Sequence, residues 1–142
     1  MVAGGATRSA SVRAGLAAVP DDAEVIIVHD AARPVPVPGL WDRVRSAIAS
    51  GADAAVPAVA VTDTLRQLGG GTVDRSDLVA VQTPQAFRAE ILRAAHAGAP
   101  EGTDDASLVE AVGGRVVVVD GDPANIKITT PIDLSVAELL CR

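Results

Sequence analysis

Four β-branched apolar residues in a row, Val25-Ile26-Ile27-Val28, run straight into His29-Asp30-Ala31-Ala32-Arg33-Pro34. A run with no polar alternation suits a strand in a parallel sheet that is covered on both faces. In open α/β sheets, ligands bind outside the carboxyl ends of such strands. An acid at that point can hold a metal, and small residues let a ligand approach the backbone. An arginine there can clamp a phosphate or carboxylate through two parallel hydrogen bonds. The plainer alternative is a surface turn carrying a solvated acid and base.

The flanking segments repeat an alternation of helix and strand. Thr7 to Val19 reads as a helix with Val12, Leu16 and Val19 on one face, entered from the Gly4-Gly5 turn. Glycine turns that feed a helix N-terminus can take an anion, though most are only turns. Pro34, Pro36 and Pro38 end the first strand. Pro38 to Ser50 reads as a second helix with Leu40, Val44 and Ile48 inward and Gly51 as its stop; Trp41 is a partly buried packing residue. Ala54 to Val61 is an apolar strand whose Pro57 marks an edge or a bulge.

Residues 61–82 differ from the rest. Val61 to Leu68 is half polar, Gly69-Gly70-Gly71 turns, and the chain returns through Thr72 to Val81, which reads as a projecting hairpin arm. Exposed strand edges recruit partners, so the expectation is a homodimer formed through this arm. Thr83 to Phe87 leads into a helix burying Ile91, Leu92 and Ala95, with His96 solvated near its end. Thr103 to Ser107 opens the next helix, its acids serving the N-terminus and Gly113-Gly114 its stop. Val116 to Val119 and Ile126 to Thr129 read as strands. The last helix starts at Thr130-Pro131 and offers Leu134, Ala137 and Leu140-Cys141 as its apolar face. The fold class expected is α/β with a mainly parallel sheet.

The formal charge of −6 and the lack of a basic run argue against a nucleic-acid surface. A phosphorylated ligand is still compatible, because a few local cations can make a positive pocket in an acidic protein. The single cysteine, Cys141, can form no internal disulfide, and no apolar run has membrane length. With no signal peptide either, the expectation is a cytoplasmic protein.

Several segments, in order, resemble one family. Gly4-Gly5-Ala6-Thr7-Arg8-Ser9-Ala10-Ser11-Val12 is similar to its GGxxRxxSV segment, and His29-Asp30-Ala31-Ala32-Arg33-Pro34 to its HDAARP strand end. Asp63-Thr64, Asp74-Arg75, Thr83-Pro84-Gln85, Thr103-Asp104-Asp105-Ala106-Ser107 and Asn125-Ile126-Lys127-Ile128-Thr129 follow at compatible spacing. The family is 2-C-methyl-D-erythritol 4-phosphate cytidylyltransferase, of non-mevalonate isoprenoid synthesis. Each motif is weak by itself; the ordered set is specific and runs from residue 2 to the end.

The resemblance implies a Rossmann-like nucleotidyltransferase sheet and transfer of CMP from CTP to methylerythritol phosphate, with release of pyrophosphate. It implies Mg²⁺ as cofactor, held by Asp30. Gly4, Gly5, Ser11 and Ala31 would line the nucleotide. Arg33, Thr83 and Thr103 would place the sugar-alcohol phosphate, and Lys127 would stabilise the transition state. By its residues alone, Lys127 between two isoleucines is a solvent-facing strand position. Thr64 and Arg75 would reach from the arm into the other subunit's site.

Ala6 stands where the family commonly has an acid. The resemblance further implies that residues 1–142 are the carboxy-terminal part of one domain. The family's first strand, its glycine-rich phosphate loop and a Pro-Lys with a second catalytic lysine would precede them. The sheet would then be amino-terminally incomplete, and the expectation follows of low solubility or higher oligomers. Two further readings stand beside this one: a ribitol 5-phosphate cytidylyltransferase and a non-catalytic dimerising homologue.

Overall fold

The computed structural model describes residues 1–35 and 37–142, so Pro36 lies outside the described residues. Among the described residues, seven strands and five helices follow in the order α1 (Arg8–Leu16), β1 (Val25–Val28), α2 (Leu40–Ala49), β2 (Ala54–Ala60), β3 (Leu65–Arg66) and β4 (Thr72–Val73). Then come β5 (Val79–Val81), β6 (Gln85–Arg88), α3 (Ala89–Ala95), α4 (Asp105–Ala111), β7 (Val116–Asp120) and α5 (Pro131–Leu140). The chain is α/β, as its alternating pattern predicts.

The sheet is built around β2, which pairs in parallel with β7 along one side. On its other side lie β6 and β5, both antiparallel to it, and β6 in turn pairs antiparallel with β1. Strands β1, β2 and β7 therefore all point one way, which meets the expected mainly parallel direction. The hydrogen-bonded neighbours are nonetheless mostly antiparallel, because β6 is inserted between β1 and β2. The segment Gln85 to Arg88 is thus a central strand, where the sequence reading had only a lead-in to a helix. Its short, partly polar run has too little periodicity to declare itself.

Register explains Pro57. Ala55 faces Ala86 and Ala58 faces Val81, so residues 56–57 oppose residues 82–85. The excess is a bulge on the β5–β6 side. Pro57, which has no N–H to give, meets it by accepting the Gln82 amide at 2.7 Å. Of the two readings for this proline, the bulge is correct and the edge is not, since β2 is the central strand.

The alternation of each strand feeds two apolar layers. Ile26, Val56, Phe87, Leu92 and Val109 pack on one face with α3 and α4; Val44, Ile48, Ala55 and Ala86 pack on the other with α2. Alanines in β2 and β6 let the helices come close. Helix α2 buries Leu40, Val44 and Ile48 as its spacing predicts, and Gly51 stops it at φ +95°.

Three local expectations are corrected. Ile126 to Thr129 pairs with no strand among the described residues; its backbone is tied locally by Ile126 N–H to Ala124 O and across the fold by Ile128 N–H to Ala32 O, both at 2.8 Å. Helix α5 buries only Ala137, while Leu134, Leu139 and Leu140 are exposed. His96 is not solvated but 5 % exposed. Its Nε2 lies 2.9 Å from Asp105 Oδ1, and Arg8 Nη2 lies 2.7 Å from Oδ2. A buried carboxylate needs such partners, so capping accounts for Asp104, which takes the Ser107 amide, and not for Asp105.

The hairpin is shorter than the expected arm of residues 61–82, because Val79–Val81 is β5 and pairs with β2 in the main sheet. Strands β3 and β4 form a two-stranded antiparallel ribbon, and Leu65, Leu68, Val73 and Leu78 are all exposed on it or beside it.

Candidate active site at the end of β1

At the carboxyl end of β1 the backbone leaves the sheet, and Asp30 emerges there. Its amide donates to Thr83 Oγ1 at 2.9 Å, which ties the turn to the bulge before β6. Its carboxylate Oδ2 meets Lys127 Nζ at 3.0 Å and lies 3.9 Å from Arg33 Nε. The Ile128 amide bond to Ala32 draws the Lys127 segment across this turn. Thus Asp30, Arg33, Thr83 and Lys127 converge, although they come from three separate parts of the chain.

Arg33 is mostly buried. Its Nη1 donates to Asn125 O at 2.7 Å, and its Nε finds no hydrogen-bond partner among the described residues. Burial pushes the guanidinium below its usual range, and Asp30 acts against that shift. Lys127 has a side chain 47 % exposed, so it stands at the mouth of the site.

Between α1 and β1 runs a groove of about 420 Å³, lined by Ser11, Val12, Leu16, Val28, Asp30 and Ala31 among others. It brings the α1 residue Ser11 and the β1-end residues Asp30 and Ala31 to one concavity. The glycine turn closes over α1: the Gly5 amide donates to Ser11 Oγ at 3.0 Å. A Cβ on Gly5 would fall 2.4 Å from Ala10 Cβ, so glycine is required there by close approach. Helix α1 is held to the segment before α4 by polar contacts. Arg13 pairs with Glu101 at 2.9 Å, and the Gly102 amide reaches Ser9 Oγ at 3.3 Å.

Not every candidate residue joins this constellation. Thr103 is exposed beside Gly102, next to α1, and no hydrogen bond among the described residues joins it to Asp30. Thr64 and Arg75 lie on the exposed arm, where Arg75 donates to Thr62 O. Conversely, residues with no role in the sequence reading hold the site together. Asn125 Nδ2 donates to Thr83 O at 2.8 Å and Gln82 Nε2 to Asp122 O at 2.9 Å. His29 bridges Thr83 and Arg33 O. The matched motifs contain His29 and Asn125 and could have flagged them; Gln82 stands just before one and carried no signal.

The donor set bears on a metal. Among the described residues no three His, Cys, Asp or Glu side chains cluster as a cage. Asp30 is a single carboxylate flanked by cations. Mg²⁺ is commonly held by one or two carboxylates and completed by water and substrate phosphates. The residues fit an ion that arrives with a nucleotide phosphate. No helix among the described residues is long and apolar enough to cross a membrane.

Comparison with known proteins agrees with this geometry. The family model for 2-C-methyl-D-erythritol 4-phosphate cytidylyltransferase matches residues 1–142. Enzymes of that name from Nocardia farcinica and Rhodococcus jostii are each 51% identical over 99% of this chain. The chain spans 63% and 64% of their lengths, just under two thirds. The crystal structure of the Thermus thermophilus enzyme superposes with a TM-score of 0.89 at 46% identity, over 98% of this chain and 71% of that one. A sheet, a turn and an ordered motif set that agree over the whole length leave one assignment: this chain belongs to the 2-C-methyl-D-erythritol 4-phosphate cytidylyltransferase family.

Proposed function

We propose that these residues form the acceptor and metal side of a site that moves CMP from CTP to 2-C-methyl-D-erythritol 4-phosphate. The observation that carries this reading is the meeting of Asp30 and Lys127 at 3.0 Å beside the groove. In the reaction a phosphate oxygen of the acceptor attacks the α-phosphorus of CTP, one P–O bond forms, and the bond to pyrophosphate breaks. The barrier is mainly one of charge and alignment. Mg²⁺, when bound, supplies charge neutralisation at the phosphates, and Asp30 is the residue to hold it.

Ser11 and Ala31 line the groove that would take the cytidine, and Gly4 and Gly5, in the turn tied to Ser11, would close on the same ligand from outside the lining. Lys127, mobile on its four-carbon stem, can leave Asp30 for the oxygens of the pentavalent phosphorus. Arg33 and Thr83 would help to place the acceptor phosphate, with Thr103 at the α1 side. Thr64 and Arg75 act in the site of a second copy, to which the arm docks; the exposed Leu65, Val73 and Leu78 support that use. A biosynthetic enzyme of this kind works in the cytoplasm.

The test is pyrophosphate release with CTP and Mg²⁺, offered methylerythritol phosphate or ribitol 5-phosphate. Release that needs methylerythritol phosphate and is lost in Lys127→Ala supports the reading. Preference for ribitol 5-phosphate, or no binding of either CTP or methylerythritol phosphate, overturns it. Sedimentation of a Leu65→Asp/Val73→Asp variant tests the dimer: it should run lighter than the parent chain, and unchanged mass rejects the arm as the interface.

A further inference from the structure

His29 lines the groove and joins two residues of the site. Its Nε2 lies 3.1 Å from Arg33 O and its Nδ1 lies 3.0 Å from Thr83 Oγ1. A carbonyl oxygen only accepts, so Nε2 carries the proton. In the neutral ring Nδ1 is then an acceptor, and the Thr83 hydroxyl must donate to it. The same hydroxyl oxygen accepts the Asp30 amide at 2.9 Å. Thr83 is only 4 % exposed, and its carbonyl is taken by Asn125 Nδ2. Its hydroxyl and its carbonyl are therefore both engaged inside the protein. The ring is steadied by Trp41, whose centroid lies 5.2 Å away at 55°.

We infer that His29 and Thr83 act as one positioning unit. The order Arg33 C=O, His29, Thr83 hydroxyl, Asp30 N–H closes a ring of hydrogen bonds around the turn from Asp30 to Arg33. It fixes the direction in which the Asp30 carboxylate and the Arg33 side chain leave the backbone. Thr83 then serves the acceptor through this turn and not by direct contact. His29 is a positioning residue, and the inference rests on the functional reading above for what the turn binds.

The first test needs no ligand. In the free chain, the ¹⁵N shifts of His29, at a pH where the ring is neutral, should report the Nε2–H tautomer; the Nδ1–H tautomer overturns the inference. The Asp30 amide should be protected from hydrogen exchange. Protection should fall in His29→Ala and in Thr83→Val, and return in His29→Asn, whose amide reaches the Nδ1 position. Unchanged protection in His29→Ala overturns it.

The second test is calorimetric binding of methylerythritol phosphate. Each single variant should weaken it about tenfold, and the double variant His29→Ala/Thr83→Val should be no weaker than either. Additive losses would mean that Thr83 contacts the ligand independently, against the inference. If the parent chain binds no methylerythritol phosphate, the functional reading fails, while amide protection and tautomer still decide the ring.

Discussion

The carboxylate of Asp105, completely buried, lies 2.7 Å from Arg8 Nη2 and so ties α4 to the first turn of α1. Its other oxygen is 2.9 Å from His96 Nε2. Arg8 stands three residues before Ser11 in the groove-lining helix. The pair is therefore a structural tie between α4 and the wall of the proposed nucleotide groove, which Arg8 itself lines.

Removing the carboxylate strands its two partners. Asp105→Ala should destabilise the fold by about 2–4 kcal/mol, because breaking a buried pair leaves an uncompensated charge. Arg8→Ala should cost less, about 1–2 kcal/mol, since its side chain is 35% exposed and water can compensate Asp105 in part. Urea unfolding of both variants checks the order of the two.

Lys127 is exposed enough that its loss should leave stability within about 0.5 kcal/mol. On the proposed reading, Lys127→Ala should nevertheless slow pyrophosphate release about 10²–10³-fold, the usual cost of losing one group that stabilises developing charge. Steady-state kinetics should place the loss in kcat more than in the KM for CTP. An unfolding midpoint that drops along with activity would instead mark Lys127 as a structural partner of Asp30.

Two glycines in the same region should behave oppositely. Gly5→Ala puts a methyl 2.8 Å from the Ala10 carbonyl carbon, so the turn must shift, at about 1–3 kcal/mol. Gly15, within α1, has open space where a Cβ would go, and Gly15→Ala should stabilise by up to about 1 kcal/mol. Thermal unfolding monitored by circular dichroism gives both signs.

Asp133 closes the entry to α5. Its Oδ2 accepts the Thr129 and Thr130 amides at 2.9 and 2.7 Å, which holds the carboxyl at about 2, below its usual 3.8. A carboxyl depressed on folding contributes stability above its unfolded value and loses it as pH falls through the folded one. The helical signal of α5 should therefore weaken between pH 3.8 and about 2, and Asp133→Asn should remove that step. An acid titration by circular dichroism, parent against variant, reads it directly.

Much of the chain was legible as sequence because its signals are local. The Val25–Val28 run, the Leu40-Val44-Ile48 face with Gly51 behind it, and the hairpin around Gly69-Gly70-Gly71 each state their conformation through short-range sterics and burial. The ordered motifs single out Asp30, Arg33 and Lys127, which the fold brings together around the Asp30 carboxylate.

Tertiary structure decided what depends on distant neighbours. Gln85-Ala86-Phe87 became a central strand because β1 and β2 offered it hydrogen-bonding edges on both sides. His96 turned from a solvated helix end into a buried partner because Asp105 needed a donor there. The Ile126–Thr129 segment gave up strand pairing and reached over the β1 turn, where Lys127 could meet Asp30. Pattern and propensity act over a few residues and are written in the sequence itself. Strand insertion and charge pairing act across long separations, and only the folded chain brings those partners within reach.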